Sequence, residues 1–170
     1  GKSSLLGALV GLRQPSAGTV RSGGSAPHRG TPAEVAAVVG LVPQQPEDLL
    51  YAASVADECR DADRDAGAPA GTAARILADL LPEVPMDRHP RDLSEGQRLC
   101  LALSVVLAAN PPLLLLDEPT RGLDYTAKRR LVATLRGLAA RGHGVVLATH
   151  DVELVAEVAT RVVVLADGEV

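Results

Sequence analysis

The sequence predicts an α/β chain built on a parallel sheet, and three observations carry that expectation. Short apolar strand candidates alternate with helix candidates through much of the chain. The run "PPLLLLD" is continuously apolar and ends on an acid, the pattern of a strand buried on both faces. Phe and Trp are absent and Tyr occurs only as Tyr51 and Tyr125, so the interior must be assembled from Leu, Val and Ala. Such a composition suits helices packed on parallel strands.

Taken in order, Leu5 to Leu12 reads as a short amphipathic helix after "GKSS", and Pro15 and Gly18 in "QPSAGTV" stop it before a short strand. "TPAEVAAVVG" is a helical turn capped by Thr31 ahead of Pro32, and "VVGLVPQ" is an apolar strand ending at Gln44. Residues 54 to 93 carry no strand signal. There "SVADECRDADRDAG" and "TAARILADLL" are helices separated by "AGAPAG", followed by the loop "PEVPMDRHPRD". The helix "EGQRLCLALSVVLAA" is ended by "NPP", and "LLLLD" follows as a strand. Helix "YTAKRRLVATLRGLAARG", strand "VVLATH", helix "DVELVAEVA" and strand "RVVVLADG" complete the alternation.

With 170 residues the chain supports one α/β domain, or a core with a small appended subdomain. A net charge of -4 and a pI near 5.5 argue against a broad nucleic-acid binder and against a basic membrane-surface patch. Any phosphate binding must be local. Cys59 and Cys100 are too few and too scattered for a disulfide framework, which favours a reducing compartment. The apolar runs are far too short to span a bilayer, so the chain is expected to be soluble.

Four stretches carry chemistry. Gly1-Lys2-Ser3 has the form of the end of a phosphate-binding loop, in which upstream glycines would cradle phosphates, Lys2 would reach the β and γ phosphates and Ser3 would hold Mg²⁺, with Ser4 next in line. Asp117-Glu118 closes the "LLLLD" strand and puts two carboxylates at the carboxyl edge of the sheet, where α/β folds bind ligands. Asp117 would serve the Mg²⁺ shell and Glu118 an attacking water. "LSEGQ" places Ser94 as an N-cap with Gly96 early in a helix, a terminus suited to anions. His150 ends "VVLATH". Each also has a bland reading taken singly: acids follow strands as turn or cap residues, Ser94 is an ordinary cap, and a lone His is more often structural than catalytic.

Order and spacing weigh against the bland readings together. Lys2, Gln44, a helical stretch, "LSEGQ", "LLLLDEPT", "GLD" and "ATHD" run in a series that resembles the ATP-binding subunits of ABC transporters over essentially the whole chain. The resemblance implies a P-loop NTPase (RecA-like) core with a parallel sheet in residues 1–53 and 110–170, and an inserted all-helical subdomain in 54–109. It implies that a first strand and most of the phosphate loop precede Gly1, making the chain a fragment that binds ATP poorly alone. It implies ATP and Mg²⁺ as ligands, with Glu118, His150 and Gln44 catalytic, and Ser3, Gln44 and Asp117 on the metal. Gly1, Lys2, Ser3 and Ser4 would bind nucleotide in cis. Ser94, Gly96 and Gln97 would do so across a head-to-tail dimer, and Asp124, in the inter-subunit loop Gly122-Leu123-Asp124, would also bind nucleotide.

Partners implied are a second ABC ATPase and an integral membrane transporter subunit, with no nucleic acid, on the cytoplasmic face of the membrane. "VPQQPEDLLYAASVADE" and "DEPTRGLDYTAKRRL" look most like ATPases of energy-coupling-factor importers of vitamins and metal ions. Leu49, Leu50, Tyr51 and Val55 lie at the seam where the family docks a helix of its membrane partner, so they are expected to form an exposed apolar docking cluster, with ordinary core packing at that seam as the alternative. Glu95 departs from the family's usual Gly and sets an acid near the expected γ-phosphate, which lowers affinity if its side chain points at nucleotide and changes little if it points to solvent. Two alternatives stand beside transport: a soluble ABC-type ATPase of DNA repair, disfavoured because about fifty residues between Gln44 and Ser94 cannot form a long coiled-coil arm, and a nucleotide-binding regulatory domain without hydrolysis.

Overall fold

The computed structural model describes residues 1–166 and 169, and its elements in chain order are α1 (Lys2–Leu9), α2 (Pro32–Ala36), β1 (Val39–Val42), α3 (Val55–Asp65), α4 (Thr72–Leu80), α5 (Glu95–Ala108), β2 (Leu113–Asp117), α6 (Tyr125–Ala140), β3 (Gly144–Ala148) and α7 (Val152–Val158). The strands form one parallel sheet in the order β1-β2-β3. Val42 is level with Leu116, and Asp117 with Ala148, so the carboxyl ends of the strands share one edge.

β2 is central because it is apolar on both faces. Leu114, Leu115 and Leu116 are each fully buried. Leu114 and Leu116 pack with Val42 against Leu99, Leu103 and Leu107 of α5 and Leu131, Leu135 and Leu138 of α6. Leu115 points the other way, onto Leu6 of α1 with Val39 and Ala148. This alternation follows the period of two in a strand. Burying each Leu is worth about 1.5–3 kcal/mol, which anchors α1 and α6 on opposite faces of the strand that ends in Asp117.

α5 serves two cores. Its Leu101 and Ala108 join Val55 and Cys59 of α3 and Ala73 and Leu77 of α4. Asp63 holds that helical cluster together: buried on α3, it accepts hydrogen bonds from the backbone N–H groups of Gly71 (2.7 Å), Thr72 (3.1 Å) and Ala73 (2.8 Å). α4 has no side-chain cap of its own, so a residue from the preceding helix satisfies its first free N–H groups.

Several expectations are corrected. The first helix begins at Lys2 and ends at Leu9, three residues earlier at each end than Leu5 to Leu12, so Lys2, Ser3 and Ser4 lie in its first turn. No strand follows "QPSAGT". A single antiparallel bridge joins Ser22 and Ser25 around Gly23 and Gly24, both in left-handed backbone, and a turn this tight leaves nothing for a strand to pair with. The final predicted strand is absent from Arg161 to Ala166; Val162, Val163 and Val164 are exposed with no ladder beside them, and Asp167 and Gly168 lie outside the described residues. The apolar docking cluster does not form either. Val55 is fully buried, Leu50 nearly so, and Leu49 packs on the sheet-side core, which leaves Tyr51 alone exposed, at 84%.

Candidate functional site

At the carboxyl edge of the sheet, the end of β2 and the end of β3 are tied by the Glu118 N–H donating to the carbonyl of Ala148 at 2.7 Å. Glu118 adopts left-handed backbone, φ 47°, which a non-glycine residue rarely does without a local constraint. This turn aims its carboxylate back over the strand ends. There Oε1 lies 2.9 Å from the Nζ of Lys2, and Oε2 lies 2.8 Å from Nδ1 of His150. Thr149 donates its hydroxyl to the same Oε2 at 3.3 Å, and the backbone N–H of His150 does so at 3.4 Å.

Partial burial alone would raise the pKa of Glu118. The hydrogen bonds from His150 and Lys2 outweigh it, and the carboxyl is held below its ordinary value. Asp117, next to it, is buried, and its Oδ1 has no hydrogen-bond partner. A buried, unpartnered carboxylate oxygen is costly, and a water or a cation would satisfy it. It fits a hydrated Mg²⁺, which takes one or two carboxylates and keeps several waters, and the described residues contain no cluster of three acidic, His or Cys side chains that would suggest a more enclosed metal cage.

A second group forms at the N-termini of α5 and α6. Ser94 and Gln97 make a reciprocal capping box: the Gln97 N–H donates to Ser94 Oγ at 3.3 Å, and the Ser94 N–H donates to Gln97 Oε1 at 2.9 Å. A Cβ on Gly96 would stand 3.3 Å from that of Ala127, so this glycine lets α5 close on α6. Asp124 caps α6 by accepting from the Ala127 N–H at 2.7 Å. Ser94, Gly96, Gln97, Leu123 and Asp124 line one cavity. Glu95 carries its own counter-charge in Arg98 at 2.6 Å and lies over Gly122, where an added Cβ would meet its Cγ at 3.1 Å.

Of the site residues expected from sequence, Lys2, Glu118 and His150 meet, with Asp117 adjoining. Ser3 and Ser4 lie exposed in the first turn of α1, behind Gly1 as its N-cap. Gln44 is exposed two residues beyond β1 and makes no side-chain hydrogen bond. Among the described residues no side-chain hydrogen bond or ion pair joins the Lys2–Glu118–His150 group directly to the Ser94–Asp124 group.

The family model described as ABC transporter matches residues 1–121. The chain belongs to the ABC transporter family. A Streptomyces coelicolor protein described as an ABC transporter ATP-binding protein is 68% identical over all of this chain, which spans 30% of that relative's length. Two solved ABC structures have the same fold over 91% of this chain. One is cbiO1 from Clostridium perfringens, part of the ABC transporter complex cbiONQ, at 28% identity, TM-score 0.73 and 64% of its own chain. The other is the dimeric bacterial ABC transporter cassette MJ0796, at 25% identity, TM-score 0.74 and 72% of its own chain.

Within this ABC fold, sequence reasoning passed over Thr149, Lys128 and Asp151. Lys128 Nζ donates to Asp151 Oδ2 at 2.8 Å, and the Asp151 carboxyl is held down at about 2 chiefly by that hydrogen bond and by the N–H of Leu154. One signal was available. Lys2 and Lys128 are the only lysines in an arginine-rich chain, and both end on carboxylates around His150. No helix of the described residues is long and apolar enough to cross a membrane.

Proposed function

We propose that the chain is the ATP-hydrolysing part of a transporter, and that it works in a head-to-tail pair with a second ATPase. The observation that carries this reading is the Glu118 carboxylate held between Lys2 and His150 beside the unpartnered Asp117. Both Glu118 oxygens are engaged, Oε1 by Lys2 and Oε2 by His150 and Thr149. ATP would draw the Lys2 ammonium to its phosphates, freeing Oε1 for a water. Glu118 then takes a proton from that water as its oxygen bonds to the γ-phosphorus and the bond to ADP breaks, releasing phosphate. His150 and Thr149 keep Oε2 fixed, so the freed Oε1 faces the water in one orientation.

Asp117, with Ser3 and Gln44, would hold Mg²⁺, which spreads the charge developing on the phosphate oxygens. Ser94, Gly96, Gln97 and Asp124 would face the partner's nucleotide. The Ser94 hydroxyl keeps its proton to donate, because within the capping box its oxygen only accepts. The dimeric state of a similar cassette supports the pairing.

The transport class proposed is energy-coupling-factor uptake of a vitamin or a metal ion, on the cytoplasmic face and through a membrane subunit. The resemblance of "DEPTRGLDYTAKRRL" and the likeness to cbiO1 support it. Uptake of labelled Co²⁺, Ni²⁺ and vitamins into cells carrying the full-length protein, against cells carrying its Glu118→Gln variant, tests this. Uptake of one such solute that the variant abolishes is expected. ATP-driven export, or ATP hydrolysis linked to no transport, would contradict it.

A further inference from the structure

We infer that Lys128 and Asp151 form a strut that positions the Thr149–Asp151 turn on Glu118 and ties that turn to the helix capped by Asp124. The inference rests on the proposed ATPase reading and adds two positioning residues to it.

The bonds close a ring. Starting from Glu118, the loop ahead of α6 is held by two turns: the Arg121 N–H donates to the Glu118 carbonyl at 3.2 Å, and the Leu123 N–H to the Thr120 carbonyl at 3.2 Å. Asp124 then caps α6, and one turn later the Lys128 N–H donates to the Asp124 carbonyl at 3.0 Å. The Lys128 ammonium crosses to Asp151 Oδ2 at 2.8 Å. The Asp151 N–H donates to Thr149 Oγ1 at 3.0 Å, and the Thr149 hydroxyl returns to Glu118 Oε2 at 3.3 Å. Thr120, in the loop ahead of α6, also hydrogen-bonds Asp151 through its side chain, so the same turn is tied to that loop a second time.

Capping does not account for the pair. Asp151 caps α7 with Oδ1 alone, accepting from the Leu154 N–H at 3.1 Å, and an Asn would cap as well. The other oxygen is committed to Lys128, and only 12% of the Asp151 side chain is exposed. A half-buried pair of this kind, braced at both ends, restrains geometry more than an exposed surface pair does. Its place also has meaning: when a partner presses on Asp124, α6 and Lys128 move together, and the restraint on His150 and Thr149 changes with them.

The test uses the full-length protein with Mg-ATP. Lys128→Met should lower kcat about tenfold with the ATP dissociation constant unchanged within about twofold, since the phosphate contacts are untouched. Lys128→Arg should restore most of kcat, which a purely steric role would not. In an Asp151→Asn background, Lys128→Met should cause no further loss, as for two residues acting through one contact. Wild-type kcat in Lys128→Met, or losses that multiply in the double variant, would overturn the strut. If Lys128→Met does not fold, Asp151→Asn, which keeps the cap, must show the same loss of kcat; wild-type kcat there overturns the proposal. A Glu118→Gln control separates the two levels. If it hydrolyses ATP normally, the ATPase assignment of Glu118 fails, whereas an inactive Glu118→Gln beside a fully active Lys128→Met refutes the strut alone.

Discussion

The ammonium of Lys2 stands 2.9 Å from Oε1 of Glu118, so a cation at the start of α1 and a carboxylate just after β2 neutralise each other across the strand ends. The pair favours the ionised form of the carboxylate. On the proposed ATPase reading, nucleotide would exchange this charge-assisted contact of Lys2 for one to phosphate.

Lys2→Ala in the full-length protein should weaken ATP binding by about 10- to 100-fold, the loss of one charged hydrogen bond of about 1.5–3 kcal/mol. It should also let the Glu118 pKa rise, because a contact that lowers it is gone. Titration with a fluorescent ATP analogue checks the first outcome. Carboxyl NMR shifts of Glu118 against pH check the second.

Acid stability should report on Asp151. Its folded pKa, about 2, lies below the ordinary 3.8, so its contribution is present above about pH 4 and is lost as pH falls toward 2. Asp151→Asn should therefore lose less melting temperature than wild type between pH 5 and pH 2. Glu118, also depressed, adds to the wild-type slope in the same sense. Calorimetry at stepped pH gives the comparison, and parallel curves would contradict it.

The helical cluster should depend on Asp63. Asp63→Ala leaves three N–H groups at the start of α4 without their acceptor, at about 1–3 kcal/mol for each that water cannot reach. A loss of at least about 3 kcal/mol in urea unfolding is expected. Because the cluster lies off the sheet edge, the ion pair of Lys2 with Glu118 should survive in the folded variant.

The elements that sequence placed well are those whose signal is local. The four leucines of "LLLLD" read as a strand from their own run, and Thr31 and Ser94 mark helix starts as caps. What escaped depends on distant partners. "RVVVLA" has strand composition but no neighbouring ladder, and Leu50 and Val55 look like a surface patch until α3 and α4 fold over them. In the site, Asp117, Glu118 and His150 stood out because they end strands. Lys128 and Asp151 are 23 positions apart and meet only when α6 lies beside β3.

The most direct test of the account is ATP turnover by the full-length protein with Glu118→Gln, read together with ATP-dependent dimer formation. The amide keeps the shape and can still accept from His150 and Thr149, but it cannot take a proton from water. Hydrolysis should fall by about 10²- to 10⁴-fold, the range for a lost general base, while ATP still binds and the closed pair accumulates. Turnover near the wild-type rate would contradict the account and move the water-activating role away from Glu118, with His150 the first candidate.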